Sequence, residues 1–357
     1  MAKKGRRLME LSRREAMKVL SGGAAAGLLG GGRLGVPRAL AQGGRSLTIN
    51  LLGYTLGIHV PGISAALDLL PAMPGYAAPK MARLDQIRTL TQTLVAGAAE
   101  IGQTDPITVF RAVESGADLK VIGNIYLNTS LVFVANADKI REFKDLEKPG
   151  TTVAVNGKGD VTHVMLVGPL LKRGADLKKV TIVEIGGSGA RMRALLAKRV
   201  DAVPMHFDQA AQVAKQGNFK VLLEPWKEYR AWVNEVWAVP GPWLRKPENQ
   251  RVAVELMKAT LTTFRRANTD LAWYVEKYRK HATIPKAAEA TEEELRLLWR
   301  GFVEDVKAWP PSNDFHLETF RELLPVYKAA EAVAGTVKIE QVVDTTYTEQ
   351  ALKELGA

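Results

Sequence analysis

From Ser46 to about Leu223, short β-branched and apolar runs alternate with longer runs of helical spacing. This rhythm leaves few architectures open. Repeated strand–helix units fold as mainly parallel sheets with helices on both faces. The strand runs are "SLTINLLGY", "AAEIGQ", "DLKVIGNI", "LVFVAN", "TTVAVN", "KVTIVEI", "VDAVPM" and "FKVLL". Between most of them lie helical runs. In "LDQIRTLTQTLVAG", Leu84, Ile87, Leu90, Leu94 and Val95 share one face. "DPITVFRAVESG" puts Asp105 at an N-cap, Pro106 in the first turn and Gly116 at the end. "DVTHVMLVGPLLKRG", "GARMRALLAKR" and "FDQAAQVAKQG" are the next helices. Beyond about Asn249 the pattern becomes helical, in "QRVAVELMKATLTTFRRAN", "TEEELRLLWRGFVEDVKAW" and "LETFRELLPVYKAAEAVAG". One stretch fits neither pattern. Residues 69–84 carry Pro71, Pro74 and Pro79, and no strand is placed there.

The first 41 residues stand apart. Lys3, Lys4, Arg6, Arg7, Arg13, Arg14 and Lys18 precede a weakly apolar, glycine-rich run from Val19 to Gly32, and Ala39-Leu40-Ala41 then supplies a small-x-small site before Gln42. This is the layout of an export signal cut near Ala41–Gln42. "SRREAMK" resembles the twin-arginine motif, with Ala16 where a large apolar residue is usual. A membrane anchor needs about twenty apolar residues, and this run is shorter.

Removing that segment takes away nine Lys and Arg and two Asp and Glu, so the net charge falls from +11 to +4. The basicity is therefore mostly in the signal. What remains has no basic stripe interleaved with aromatics, which argues against nucleic acid as a partner. The chain has no cysteine. Disulfides, thiolate metal sites, a cysteine nucleophile and a lipid-modified cysteine are all excluded.

The run from Phe143 to Leu223 combines "FKDLEKPG", a V-A-V strand, the glycine loop "NGKGD", a "VTIV" strand and a helix ending at "VDAV". Together with "LVAGAAEIGQTDPITVFRAVESGADLKVI" and the ending "DTTYTEQALKELG", it resembles the substrate-binding proteins of ABC importers. The group is the nitrate/sulfonate/taurine and thiamine-pyrimidine type (SsuA/NMT1-like). The family places a short strand near Pro71–Pro79, and the prolines there depart from its pattern. The resemblance implies a periplasmic-binding-protein type II fold, an α/β chain of two lobes with a helical C-terminal region. Residues 46–128 plus 231–357 would form lobe one and residues 129–230 lobe two. The crossings would fall near Asn128–Ser130 and Trp226–Trp237.

Open parallel sheets bind ligands beyond the carboxyl ends of their strands, where helix N-termini favour anionic and acceptor groups. That rule selects Tyr54 and Thr55, then Thr104 and Asp105, Gly159, Asp160 and His163, Ser188 and Arg191, and His206 and Asp208, with Thr129 at the first crossing. Tyr54 reads either as a stacking platform or as an exposed strand end. Asp105 and Asp160 read either as ligand contacts or as helix caps. Ser188 reads as the cap of its helix. Arg191 reads either as a carboxylate or sulfonate partner or as a solvated charge. Trp226 or Trp237 could form a cleft wall or belong to the core. His59, His163 and His206 could converge on a metal, but no short H-x-H or H-E-x-x-H spacing supports one, so no metal and no cofactor is expected.

These readings converge on capture rather than chemistry. The expected function is the soluble binding component of an ABC importer, closing by a hinge around a small sulfonate, carboxylate or heteroaromatic compound. Its partner would be a permease in the inner membrane, its compartment the periplasm and its state monomeric. A pyrimidine-forming or hydrolytic enzyme on the same fold is the alternative. It lacks support from a G-x-S-x-G elbow, paired carboxylates or a metal signature. A sensor module presenting ligand to a receptor would share the cleft.

Overall fold

The computed structural model describes residues 44–283, 287–312 and 314–356. The export segment expected before Gln42 lies outside the described residues. Two five-stranded sheets organise the chain. The first contains β1 (Thr48–Leu52), β2 (Lys80–Leu84), β3 (Ile101–Thr104), β4 (Leu119–Tyr126) and β10 (Glu235–Pro240), in the order β2-β1-β3-β10-β4. The second contains β5 (Leu131–Asn136), β6 (Thr152–Val155), β7 (Thr181–Glu184), β8 (Ala202–His206) and β9 (Phe219–Leu223), in the order β7-β6-β8-β5-β9. In each sheet one strand runs against its neighbours: β10 pairs antiparallel with β3 and β4, and β5 with β8 and β9. Both are the strands by which the chain enters a sheet after crossing from the other.

The proline-rich stretch resolves into two elements. A helical run over 57–72 opens at Val60-Pro61 and widens into a π turn at Ala65–Leu69. Its Ile58, Val60, Ile63, Ala65, Ala66 and Leu70 are all buried. A helix buried nearly all round shows no polar face, which is why its sequence has no amphipathic signal. Gly62 lets this run sit against β4, since a Cβ there would come 2.6 Å from the Ile125 carbonyl oxygen. Strand β2 then begins right after Pro79 and pairs in parallel with β1. It is an edge strand with Lys80 and Met81 exposed, a setting that tolerates a preceding proline and needs few apolar residues.

The chain passes between the sheets after β4 and after β9, and Asn128 ties these two crossings to the 306–308 segment. Its side-chain carbonyl accepts from the Trp232 N–H at 2.8 Å, and its amide donates to the Val306 carbonyl at 2.9 Å. Beside it the Leu127 N–H donates to Ala308 O at 2.8 Å. Trp232 and Trp237 are buried in the core and neither lines the cleft described below, so the cleft-wall reading of Trp237 gives way to the packing one. Trp226 does not line it either.

The C-terminal region is helical. Pro247–Thr269 buries Val252, Leu256, Met257, Leu261 and Phe264. Leu271–His281, an element with no clear signature in the sequence, packs beside the 60–64 turn. Each buried Leu or Ile stabilises the fold by about 1.5–3 kcal/mol. Glu292–Arg300 starts at a capping box formed by Thr291 and Glu294 and continues as a π turn to Val306. Leu317–Ala329 packs on Val161–Lys172 of the second sheet's helical layer, and Thr346–Glu354 packs back on Pro247–Thr269.

Candidate ligand-binding cleft

The strand ends of the two sheets face a cleft of about 970 Å³. On the side of the first sheet stand Tyr54 after β1, His59 in the first helical turn, Asp105 after β3, Tyr126 at the end of β4, and Asn234 and Glu235 at the start of β10. On the other side stand Asn156, Gly159 and Asp160 after β6, Ser188 and Arg191 after β7, and His206 at the end of β8.

Of the residues selected from sequence, Tyr54, Asp105, Gly159, Asp160, Ser188, Arg191 and His206 line the cleft. Thr55, Thr104, Thr129, His163 and Asp208 do not. Thr55 accepts from Arg83 Nη1 at 3.0 Å, and its N–H donates to Thr283 at 2.7 Å. Thr104 is buried against Thr91, with hydroxyls 2.6 Å apart. Thr129 accepts from the Leu131 N–H at 3.1 Å within the crossing. His163 Nδ1 accepts from the Gly159 N–H at 3.0 Å and so braces the glycine loop from behind. Asp208 is exposed in the first turn of Phe207–Ala214.

The cap and cleft readings of two aspartates are compatible. Asp105 accepts from the Thr108 N–H at 2.8 Å and the Thr108 hydroxyl at 2.6 Å. Asp160 accepts from the N–H groups of Thr162 and His163 at 2.9 and 3.0 Å. Both carboxylates are occupied by their own helices while flanking the cleft. Burial raises the Asp105 carboxyl above its ordinary range. Ser188 is not the cap expected of it: Gly187 holds that position and Ser188 is the first helical residue.

Arg191 is not a solvated charge. It is 2 % exposed, donates from Nε to Pro204 O at 2.9 Å and from Nη1 to Gly186 O, and has no carboxylate partner among the described residues. Burial lowers its pKa to about 10. A charged fork fixed by two carbonyls with its remaining donors at a cleft wall is suited to a carboxylate or sulfonate. His206 is pushed down to about 4, chiefly by burial, and is neutral at pH 7. Its Nδ1 lies 2.8 Å from the Ser130 hydroxyl.

Sequence reasoning missed Glu235 and Tyr126. Strand β10 runs antiparallel to β3 and β4, so its first residue lies beside their last ones: Glu235 pairs with Tyr126, and Val236 with Thr104. A register shift between Glu235 and Val236 accompanies this placement. The same geometry on the other sheet sets Leu131, the first residue of β5, opposite His206. The first residues of the two returning strands were the available signal. Glu235 accepts from the Gln103 side-chain amide. His59 Nε2 lies 3.2 Å from Glu235 Oε1. Burial alone would raise the Glu235 carboxyl, but His59, Gln103 and Tyr126 outweigh it and hold the group below its ordinary value. The His59 ring stacks on Tyr126 at 5.4 Å between centroids. The Tyr54 hydroxyl is pushed up to about 12 by burial and by the nearby Glu235.

His59 and His206 sit on opposite cleft walls and His163 lies outside the cleft. Among the described residues, no group of three His, Cys, Asp or Glu side chains could hold a metal. No described helix is long and apolar enough to cross a membrane.

Comparison with known proteins agrees with this architecture. No curated protein matches the sequence. Among solved structures, the chain resembles the periplasmic aliphatic sulphonate binding protein SsuA from Escherichia coli, with a TM-score of 0.65 at 16% identity over 84% of this chain and 92% of that one. It resembles the periplasmic nitrate-binding protein NrtA from Synechocystis PCC 6803, with a TM-score of 0.60 at 12% identity over 87% and 89%. It also resembles the zinc-bound ligand-binding component of an ABC-type import system from Staphylococcus aureus, with a TM-score of 0.64 at 12% identity over 86% and 99%. Residues 86–260 match the family described as NMT1/THI5 like. That span carries the glycine loop, Arg191, His206 and Glu235, and the solved structures share the two-lobed fold of the periplasmic binding proteins with this chain.

Proposed function

We propose that this protein is the substrate-binding component of an ABC importer. It captures a small organic ligand between its lobes and delivers it to a permease in the inner membrane. The observation that carries this reading is the cleft itself, lined from both sheets, with the two crossings tied to each other at Asn128. Lobe one would comprise residues 46–128 and 231–357 and lobe two residues 129–230, with Leu317–Ala329 reaching across. Closure would turn on the crossings at 127–130 and 224–234. The segment before Gln42 would export the protein to the periplasm as a monomer by the twin-arginine route.

The polar groups suit binding better than bond-making. Arg191, aided by the N-termini of the helices at 106, 161 and 188, would hold an anionic or acceptor end of the ligand. Tyr54, Tyr126 and the exposed side of Ile87 and Val95 offer flat and apolar surface. Asp105 and Asp160 are occupied as caps, and His206 is tied to Ser130. The Ser130 hydroxyl that pairs with His206 does not line the cleft.

A thermal-shift panel of sulfonates, aromatic acids, nitrate, pyrimidines and divalent metals tests this reading. A ligand at a hundred times its Kd is expected to stabilise the protein by about 2.7 kcal/mol. A shift from metals alone would overturn capture of an organic ligand. Turnover of a hit would replace the reading with an enzyme.

A further inference from the structure

Glu235 is held in an unusual way for a buried carboxylate. It is 4 % exposed and lines the cleft, yet its partners among the described residues are an amide, a phenol and an imidazole, with no lysine or arginine. The Leu56 N–H donates to His59 Nδ1 at 3.1 Å, so that nitrogen is an acceptor and the ring proton is on Nε2, toward Glu235. The carboxylate therefore faces an imidazole N–H and no lysine or arginine among the described residues at the cleft wall. Its oxygens offer about four acceptor positions, more than the Gln103 amide and the Tyr126 hydroxyl fill.

Two further groups at this spot lack partners. The Asn234 amide donates to the Tyr126 hydroxyl at 2.6 Å, which leaves its own carbonyl oxygen buried without a donor on the cleft wall. His59, 1 % exposed, has Nε2 close to Glu235 but without hydrogen-bond alignment. Asp105 and Asp160 differ from Glu235 because their own helices occupy them.

We infer that Glu235, with the Asn234 carbonyl beside it, is a subsite for a protonated amine or amidine group of the ligand. The inference rests on the capture reading and narrows its ligand class to compounds bearing a cationic, donor-rich end. Tyr126 and Gln103 are positioning residues that fix the carboxylate.

Three matched probes test this by titration calorimetry of the whole protein: 4-(aminomethyl)benzoate, benzylamine and 4-methylbenzoate. The amino acid is expected to bind at least tenfold more tightly than 4-methylbenzoate, and E235Q should erase that advantage. A wild-type circular dichroism spectrum and a single cooperative melt for E235Q serve as the check that the protein is folded. Equal binding of the two benzoates by the wild type overturns the subsite and leaves the capture reading standing. So does an amine advantage that survives in E235Q. Chemical conversion of a bound amine overturns capture and leaves the subsite standing. Failure of all three probes to bind at millimolar concentration overturns both.

Discussion

The two walls of the cleft solve the problem of a buried charge in opposite ways. On the second sheet's side, Arg191 is held by backbone carbonyls of Pro204 and Gly186. On the first sheet's side, Glu235 is held by the side chains of Gln103, Tyr126 and His59. Each charge is kept by neutral groups, and among the described residues neither has an oppositely charged Lys, Arg, Asp or Glu within ion-pair distance. If the lobes close with both walls on one ligand, a molecule with a cationic end and an anionic end satisfies both. A carbonyl cage is part of the backbone and cannot be altered by mutation, whereas a side-chain cage can be dismantled residue by residue.

That contrast can be broken most forcefully at Arg191. R191M strands the buried Pro204 carbonyl, at a cost of about 1–3 kcal/mol, and frees the half-buried Gly186 carbonyl. It should lower the denaturation midpoint clearly and reduce 4-methylbenzoate affinity by a hundredfold or more. R191K should recover part of the stability and little of the affinity, because an ammonium cannot reproduce the fork. Unchanged affinity in R191M would remove the anion end from the account.

The second test uses pH. His206 has a folded pKa of about 4 against an ordinary 6.5. The unfolded chain takes up the proton first, so stability is intact above pH 6.5 and falls as pH drops toward 4. The expected loss is about 3 kcal/mol over that window, and H206N should flatten it. A wild-type melting temperature independent of pH between 7 and 4 would show that His206 is not held neutral. The smallest effect belongs to Asp105. D105A removes an N-cap and should cost about 1 kcal/mol, with little change in affinity if its carboxylate serves the helix alone. A tenfold affinity loss would place Asp105 in direct ligand contact instead.

The sequence revealed elements marked by β-branched runs or by caps, whether half-buried or buried throughout like β5, and hid those without such marks. The helix Pro106–Glu114 was legible because Asp105, Pro106 and Gly116 mark its ends. The run over 57–72 was not, because it is apolar throughout and interrupted by a π turn. Strand β2 was hidden because an edge strand needs little hydrophobicity. The glycine loop and Arg191 follow from the rule that ligands sit beyond strand ends. Glu235 escaped that rule because β10 runs the other way, and only the sheet order shows that its first residue joins the last residues of β3 and β4. Thr104 and Thr129 illustrate the opposite limit: a correct loop does not say which of its side chains turns inward.

Closure of the two lobes on a ligand is the central claim, and the absence of cysteine makes it directly measurable. Spin labels at V95C, on the rim beside the first sheet, and E184C, at the end of β7, would be the only thiol sites. Electron–electron double resonance would then report the distance between the rims, with and without 4-(aminomethyl)benzoate. The account predicts that saturating probe shortens the distance and narrows its distribution to a single population. A distribution that stays the same with the probe bound would contradict it.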